Sequence, residues 1–286
     1  MQEQPPFFSI LIPVYNTGTY LKSCLGSIGT GFGFPVEILI TDDGSAAETR
    51  AVLDEIEAED PRVRVLHHEK NSSLYEARRT GVAQSAGKYV LFLDSDDSLA
   101  ENALVRLHDA LEKDPVDVLA FSYRTLPFNT VTQPQAGVGL EQVSALIREK
   151  NAVMPMITNK VYSGDMICRA YARLRPGYVN MSEDAVQSVA IAFEAKTFAV
   201  LDGGPIYLYQ YDTGMSTSSG LSLKKFEAIL RSRSTALKLI RDFLAENAPD
   251  LLPEADGMEK DFLRQTVEEQ IGVQMPDELR DAALLM

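Results

Sequence analysis

The sequence predicts an α/β fold: a mainly parallel sheet covered by helices on both faces, followed by a helical C-terminal extension. Three observations carry that expectation. Strand-like and helix-like runs alternate through the first 125 residues, the pattern of parallel strands joined by crossover helices. Tyr89-Val90-Leu91-Phe92-Leu93 is apolar or aromatic without interruption, as a strand buried on both faces must be. Acidic residues gather where such runs end, at Asp42-Asp43-Gly44-Ser45 and Asp94-Ser95-Asp96-Asp97, and in open parallel sheets ligands sit outside the carboxyl ends of the strands.

Taken in order, Phe8 to Asn16 reads as the first strand, with Pro13 where ladder donors are no longer needed. Tyr20, Leu21, Cys24, Leu25 and Ile28 recur at helical spacing, with Thr17 or Thr19 as cap, and Gly29, Gly31, Gly33 and Pro35 mark a loop. Val36 to Thr41 is a second strand. Ala46 to Glu59 is helical, with Val52 and Ile56 on one face and Pro61 after it, and Val63 to Leu66 is a short third strand. Asn71 to Ala83 runs from loop into helix, which Gly87 ends before the central strand. Ala100 to Lys113 is a helix carrying Leu104, Leu107 and Leu111, and Val116 to Tyr123 a strand.

Leu126 to Val138, rich in Pro, Gln, Thr and Gly, reads as a loop. Leu140 to Glu149 is a short helix, and Met154 to Tyr162 is apolar around Lys160. Ala185 to Glu194 is helical directly after Glu183-Asp184. Thr197 to Leu201 and Ile206 to Tyr211 read as strands forming a hairpin-like edge, and beyond Ser219 the pattern is helical only. The expected division is residues 1–218 as one domain and 219–286 as the helical extension.

With 286 residues, the chain is long enough for a substantial core. The net charge of -14 argues against a protein that wraps nucleic acid. Two cysteines, Cys24 and Cys168, are too few for a disulfide framework or a structural zinc site. No apolar run approaches the roughly 18 residues of a membrane span, and the start lacks a basic signal-peptide head, so a cytoplasmic protein is expected.

The chemistry concentrates after the central strand. Three carboxylates within four positions need a divalent cation, hydrogen-bond donors or water, and hard oxygen ligands suit Mg²⁺ or Mn²⁺. A solvated acidic turn is the competing reading of these residues alone. His67 and His68 lack a companion at metal-ligand spacing and receive no role.

Pro13-Val14-Tyr15-Asn16, Asp42-Asp43-Gly44-Ser45, Asn71 to Gly81, Asp94-Ser95-Asp96-Asp97 and Glu183-Asp184, in that order and strand context, resemble family 2 inverting glycosyltransferases of the GT-A fold. The resemblance covers roughly residues 7 to 215. It implies an enzyme that moves a sugar from a nucleotide-sugar donor, UDP-linked above all, to a glycan or lipid-linked acceptor in surface polysaccharide synthesis, with Mn²⁺ or Mg²⁺ as cofactor. Pro13, Tyr15, Asn16 and Asp43 would line the nucleoside pocket, with Asp42 either beside them or capping its own turn. Arg78 would face the donor phosphate or sugar, although Arg78 and Arg79 also fit a solvated helix face. Asp94 would bind sugar or ribose hydroxyls with Ser95 as spacer, and Asp96 or Asp97 would ligate the metal. Asp184, with Glu183, matches the family's general base, while a helix cap is its bland alternative.

Asn159-Lys160-Val161-Tyr162 and Gly214-Met215-Ser216 are similar to further segments of bacterial members, which would bring Lys160 and Ser216 toward the diphosphate or the acceptor. The chain departs from the family at Leu74 or Tyr75, where a glycine is usual, and at Arg79, where an asparagine is usual. A degenerate binding module is the main alternative. A Mg²⁺-dependent phosphatase places its nucleophilic Asp after the first strand, which here ends in Pro13-Val14-Tyr15-Asn16, and no G-x-G-x-x-G supports a dinucleotide enzyme. The segment 221–245 sets Leu223, Phe226, Leu230, Leu237, Ile240 and Leu244 on one helical face, with Lys224, Lys225, Arg231, Arg233, Lys238 and Arg241 against Glu227 and Asp242. Such a helix packs on its own domain or lies on an anionic membrane surface as a peripheral contact.

Overall fold

The computed structural model describes residues 4–134, 137–148, 156–211 and 222–265, with Leu279 and Ala283 beyond them. The first half alternates as expected: β1 (Phe8–Val14), α1 (Gly18–Ile28), β2 (Val36–Asp42), α2 (Ala47–Glu59), β3 (Val63–His67), α3 (Leu74–Gln84) and β4 (Tyr89–Phe92). β1 pairs in parallel with β2 and with β4, and β2 with β3. Successive side chains go to opposite faces. Leu11, Val90 and Phe92 join one buried cluster and Ile10, Ile12, Leu91 and Leu93 the other. Each such side chain contributes about 1.5–3 kcal/mol when fully buried, so a polar residue within β4 would be costly on either face.

The chain continues through β5 (Ser98–Leu99), α4 (Ala103–Lys113), β6 (Val118–Phe121), β7 (Tyr123–Leu126), β8 (Thr130–Thr132), α5 (Gly139–Arg148), β9 (Lys160–Ser163), α6 (Gly164–Ala172), α7 (Glu183–Glu194), β10 (Phe198–Leu201), β11 (Tyr207–Gln210), α8 (Leu223–Asn247), a 3-10 turn (Pro249–Glu254) and α9 (Ala255–Gln265). The main sheet has the order β10-β6-β9-β4-β1-β2-β3, with β9 antiparallel to both neighbours. A second sheet has the order β5-β11-β7-β8.

Three expectations are corrected. Val116 to Tyr123 is not one strand: the chain leaves the main sheet at Ser122, whose carbonyl accepts the Ile206 amide, and continues as β7 in the second sheet. The two strands after α7 do not form a hairpin. β10 pairs in parallel with β6, and β11 lies between β5 and β7. The turn between them is pinned by Arg106, whose Nη2 donates to the Gly203 and Gly204 carbonyls at 2.9 and 3.1 Å, so the chain crosses between sheets. The segment 126–138 contains β8, paired with β7. Helix α6, absent from the sequence reading, buries Met166, Ile167, Ala170 and Tyr171.

α8 packs on α7, on the 3-10 turn and on α9, and it buries Phe226, Ile229, Ala236, Leu239, Ile240, Phe243 and Leu244. Much of its basic stripe is ion-paired: Lys238 with Asp242 at 2.6 Å, Arg241 with Asp256 at 2.7 Å and Arg231 with Glu227. Arg233 is itself buried, donating to the Phe262 carbonyl. Docking on the domain is thus the observed use of the apolar face. Among the described residues no helix is long and apolar enough to cross a membrane.

Candidate active site

The carboxyl ends of β1, β2 and β4 lie side by side, and their loops are tied to one another. Asn16 donates its amide to Ser45 Oγ (3.1 Å) and accepts from the Ala46 amide through Oδ1 (2.9 Å). Gly44, at φ 75°, presses on the next loop: a Cβ there would fall 2.5 Å from the Lys70 carbonyl carbon, so glycine lets loops 42–45 and 70–73 meet backbone to backbone.

Asp42 and Asp43 are both buried. Asp42 accepts from the Ser45 amide (2.8 Å) and His67 Nδ1 (2.9 Å) and pairs with Arg50. Burial alone would raise its pKa, but these hydrogen bonds and the Arg50 charge bring it below the ordinary carboxylate value. Asp42 therefore serves its own turn. Asp43 accepts from the Ser72 and Ser73 amides at 2.7 and 2.9 Å and from His68 Nδ1 at 2.7 Å, while His68 Nε2 meets Thr80 Oγ1 at 2.9 Å. Through these two contacts His68 ties the end of β2 to α3. Pro13 is buried in β1 opposite Thr41, and Tyr15 stands half-exposed just beyond the strand.

At the end of β4, Ser95 is buried with its hydroxyl on Thr17 Oγ1 at 2.6 Å, which fixes the entry to α1. Asp97 accepts from the Tyr207 hydroxyl (2.5 Å) and the Gln210 amide (2.7 Å), both on β11. Burial, then the charge of Asp94, pushes its carboxyl up to about 8 against those hydrogen bonds. The Cys24 thiol is pushed up by burial and by Asp97, Asp94 and Asp96 together. Asp96 is half-buried.

One buried arginine joins this strand end to α7. Arg78 Nη2 donates to both oxygens of Asp94 at 2.9 and 3.2 Å. Its Nη1 donates to Asp184 at 2.6 Å, Glu183 at 3.3 Å and Gln187 Oε1 at 3.4 Å. The surrounding carboxylates raise the guanidinium pKa well above its ordinary value despite burial, so the solvated-face reading of Arg78 does not hold. Burial and the Asp184 charge push Glu183 up to about 8, and burial raises Asp184 against the charge of Arg78. Lys160 opens β9. Because β9 runs antiparallel, that position lies at the edge where β4 and β6 end. Its Nζ donates to Asn159 Oδ1 at 2.7 Å and the Met156 carbonyl at 2.5 Å, and burial pushes it down to about 8.

The structure thus brings Asp94, Arg78, Glu183 and Asp184 into direct contact, and places Asp43, Asp97 and Lys160 at the same sheet edge. Asp42 is occupied by Ser45, His67 and Arg50, and Ser95 by Thr17. Gly214-Met215-Ser216 lies outside the described residues. Sequence reading missed His67, His68, Thr80 and Tyr207, which brace the acidic residues from behind, and no motif marks them.

Among the described residues no three His, Cys, Asp or Glu side chains form a metal cage. The residues nonetheless fit a divalent cation shared with a diphosphate: Asp94, Asp96 and Asp97 stand together at the end of β4, and their charges add to the larger effect of burial in raising Asp97 and Cys24. Mg²⁺-type ions commonly take one or two carboxylates and complete their shell with substrate phosphates and water.

In sequence and in fold the chain is similar to known glycosyltransferases and to a solved structure. The glycosyltransferase GlyG of Streptococcus pneumoniae serotype 4 is 34% identical over 115 residues, which are 40% of this chain and 38% of that protein. Chondroitin synthase of Escherichia coli is 38% identical over 109 residues, 38% of this chain and 16% of that protein. The matched part is thus a minor share of either relative's length. The crystal structure of S. aureus TarS 1-349 in complex with UDP-GlcNAc shares the fold, with a TM-score of 0.66 and 18% identity over 97% of this chain and 79% of that one. The family model described as glycosyl transferase family 2 matches residues 9–169, from β1 into α6 and across the acidic end of β4, and this chain belongs to that family.

Proposed function

We propose that the chain is a metal-dependent inverting glycosyltransferase that moves a sugar from a nucleoside-diphosphate donor, a UDP-sugar above others, to a hydroxyl of a glycan or lipid-linked acceptor in surface polysaccharide synthesis. One observation carries the reading: the Arg78 guanidinium bridges Asp94, in the acidic motif after β4, to Asp184 at the start of α7. Donor motif and candidate base thereby face one site.

The roles follow from the side chains. Asp43 and Tyr15 flank the nucleoside end, with Asp43 braced by His68. Arg78 and Lys160 offer positive charge beside the diphosphate and sugar. Asp96, with Asp97, would hold the cation, and bound there it supplies Lewis-acid neutralisation of charge on the departing diphosphate. Asp184 accepts the acceptor hydroxyl proton as that oxygen bonds to the anomeric carbon; the anomeric C–O bond to the diphosphate breaks, its electron pair leaves with the nucleoside diphosphate, and the centre inverts. A carboxylate with a raised pKa is a stronger base, which suits Asp184 to this task.

The UDP-sugar preference draws on the ligand named for the TarS complex, and the glycan acceptor on the chondroitin synthase relative. A degenerate binding module has less support, since Asp94, Asp96, Asp97, Arg78 and Asp184 are all present. The test is a panel of nucleotide sugars incubated with Mn²⁺ and assayed for slow donor hydrolysis. Metal-dependent release of nucleoside diphosphate from one donor supports the reading. No release from any donor, with or without added glycan acceptors, overturns it.

A further inference from the structure

The base-bearing end of α7 is reached through a segment, 173–182, that belongs to neither helix nor strand. It lies between α3 and α8. From α3, the Tyr75 hydroxyl donates to the Arg175 carbonyl at 2.9 Å, Arg79 donates to the Leu174 carbonyl, Glu76 accepts from the Gly177 amide at 2.7 Å, and the Leu74 amide donates to Asn180 Oδ1 at 2.7 Å. On the α8 side the segment lies flush, since a Cβ on Gly177 would fall 2.8 Å from Leu239 Cδ1.

Side chains at the start of the segment pair with the far end of α8, Arg175 with Asp242 and Glu246 and Arg173 with Asn247, whereas the backbone just before α7 is held from α8 by the Ser232 hydroxyl. Ser232 Oγ accepts from the Asn180 amide (2.9 Å) and the Met181 amide (2.8 Å) and donates to the Met181 carbonyl (3.2 Å). Ser232 is buried. The next residue in the segment, Ser182, sits at φ 69° and ψ 18°, a left-handed conformation for a non-glycine residue that is itself buried. Such a backbone persists only where its surroundings over-determine it. Glu183 and Asp184 follow immediately. Removing the Ser232 hydroxyl would take from two consecutive amides the partner that fixes them just before the strained residue.

We infer that Ser232 is a positioning residue for the transfer reaction: from a helix outside the 9–169 family match, it fixes the Met181-Ser182 turn so that Asp184 meets Arg78 and the acceptor. The inference rests on the reading of Asp184 as the base and assigns α8 a part in the active site. Neither Ser232 nor any of its contacts belongs to the acidic motifs.

The test compares Ser232→Ala and Ser232→Thr with Ile56→Ala, a core truncation on α2 that controls for lost stability. Ser232→Ala is expected to lower kcat by about tenfold to a hundredfold, the scale of a slightly misplaced catalytic group, with donor KM within about twofold, and to move the acid limb of the kcat profile. Ser232→Thr should restore much of the loss. Ile56→Ala should leave kcat per folded molecule and the acid limb where they are. Hydrogen exchange adds a readout that needs no activity: amides of 181–185 should exchange faster in Ser232→Ala, and those of 42–45 should not. If the alanine variant fails to fold, Ser232→Cys takes its place. Parental kcat and acid limb in the variant, equal losses in Ile56→Ala, or unchanged exchange at 181–185 would each overturn the inference. If the parent processes no nucleotide sugar, the proposed reaction fails by itself, and the exchange measurement still decides whether Ser232 sets this turn.

Discussion

Arg78 and Asp184, 106 positions apart in the chain, meet at 2.6 Å. The contact is one side of a fork whose other side grips Asp94. A guanidinium stays charged when buried and presents parallel donors to two carboxylates at once, which an ammonium cannot do. The cost of burying this charge is offset only while its partners stay ionised and in place.

Replacing Arg78 by Met should therefore destabilise the protein by about 3–5 kcal/mol near neutral pH, the usual cost of leaving buried charges unpaired. Without the guanidinium, the buried Asp184, whose carboxyl burial already raises, becomes harder still to ionise, so the loss should shrink as pH falls and it takes up a proton. Denaturant melts at pH 5 and pH 8 measure this. A loss below about 1 kcal/mol, or one equal at both pH values, would contradict the role given to the fork.

Glu183 offers a prediction of opposite sign. Its carboxyl is pushed up to about 8 in the folded chain. Between its ordinary value and 8 the folded state keeps a proton that the unfolded state has lost, so Glu183 makes stability fall as pH rises through that window. Glu183→Gln should remove that slope and gain on the order of a few kcal/mol at pH 8, since each pKa unit is worth about 1.4 kcal/mol. Parallel stability–pH curves for parent and variant would contradict it.

Asp184→Asn keeps the shape and the contact with Arg78 but cannot take a proton. It should lower transfer about a hundredfold or more while leaving nucleotide binding intact. Measuring kcat beside the nucleotide dissociation constant separates the two effects. Transfer at the parental rate would remove Asp184 from the role of base.

The strands of the first half were legible because each carries its own signal. An uninterrupted apolar run such as Tyr89 to Leu93 can be buried on both faces only in a sheet interior. The acidic motifs were legible because several carboxylates in a few positions demand a partner. Partnering between distant strands was not. Phe198 to Leu201 and Tyr207 to Gln210 have strand composition, but period-two alternation says nothing about which neighbour each will find, and the turn between them is held by Arg106 on α4, far away in sequence. His68 and Tyr207 were hidden for a similar reason: each becomes informative only opposite Asp43 or Asp97. The residues read as departing from the family pattern, Leu74 or Tyr75 and Arg79, acquire a reason in the same way, because all three bond to the segment leading to Asp184.

The acidic end of β4 predicts joint binding of metal and nucleotide. UDP with Mn²⁺ or Mg²⁺ at about a hundred times its dissociation constant should stabilise the native state by about 2.7 kcal/mol, by mass action. A chelator should abolish most of that gain, and Asp96→Ala should mimic the chelator. Thermal melts with nucleotide alone, metal alone and both together provide the measurement. Equal shifts with and without metal would sink the joint site.

The last prediction concerns α8. Phe226, Ile240, Phe243 and Leu244 are almost wholly buried, and at about 1.5–3 kcal/mol each they represent some 6–12 kcal/mol of apolar burial. A typical domain has a net stability of only about 5–15 kcal/mol. A chain ending at residue 221 should therefore lose its cooperative melt instead of surviving as an independent catalytic domain. The same burial bears on membrane contact, because inserting this apolar face into a lipid interface would first require undocking it from α7. Lys238 and Arg241 are also already paired with Asp242 and Asp256. Full-length protein should thus show no more than a weak, salt-sensitive association with anionic vesicles. Circular dichroism melts of the 1–221 fragment and vesicle co-sedimentation at low and high salt test both statements. A fragment that melts cooperatively near the parental temperature, or vesicle binding that persists in high salt, would show that α8 is separable from the domain it covers.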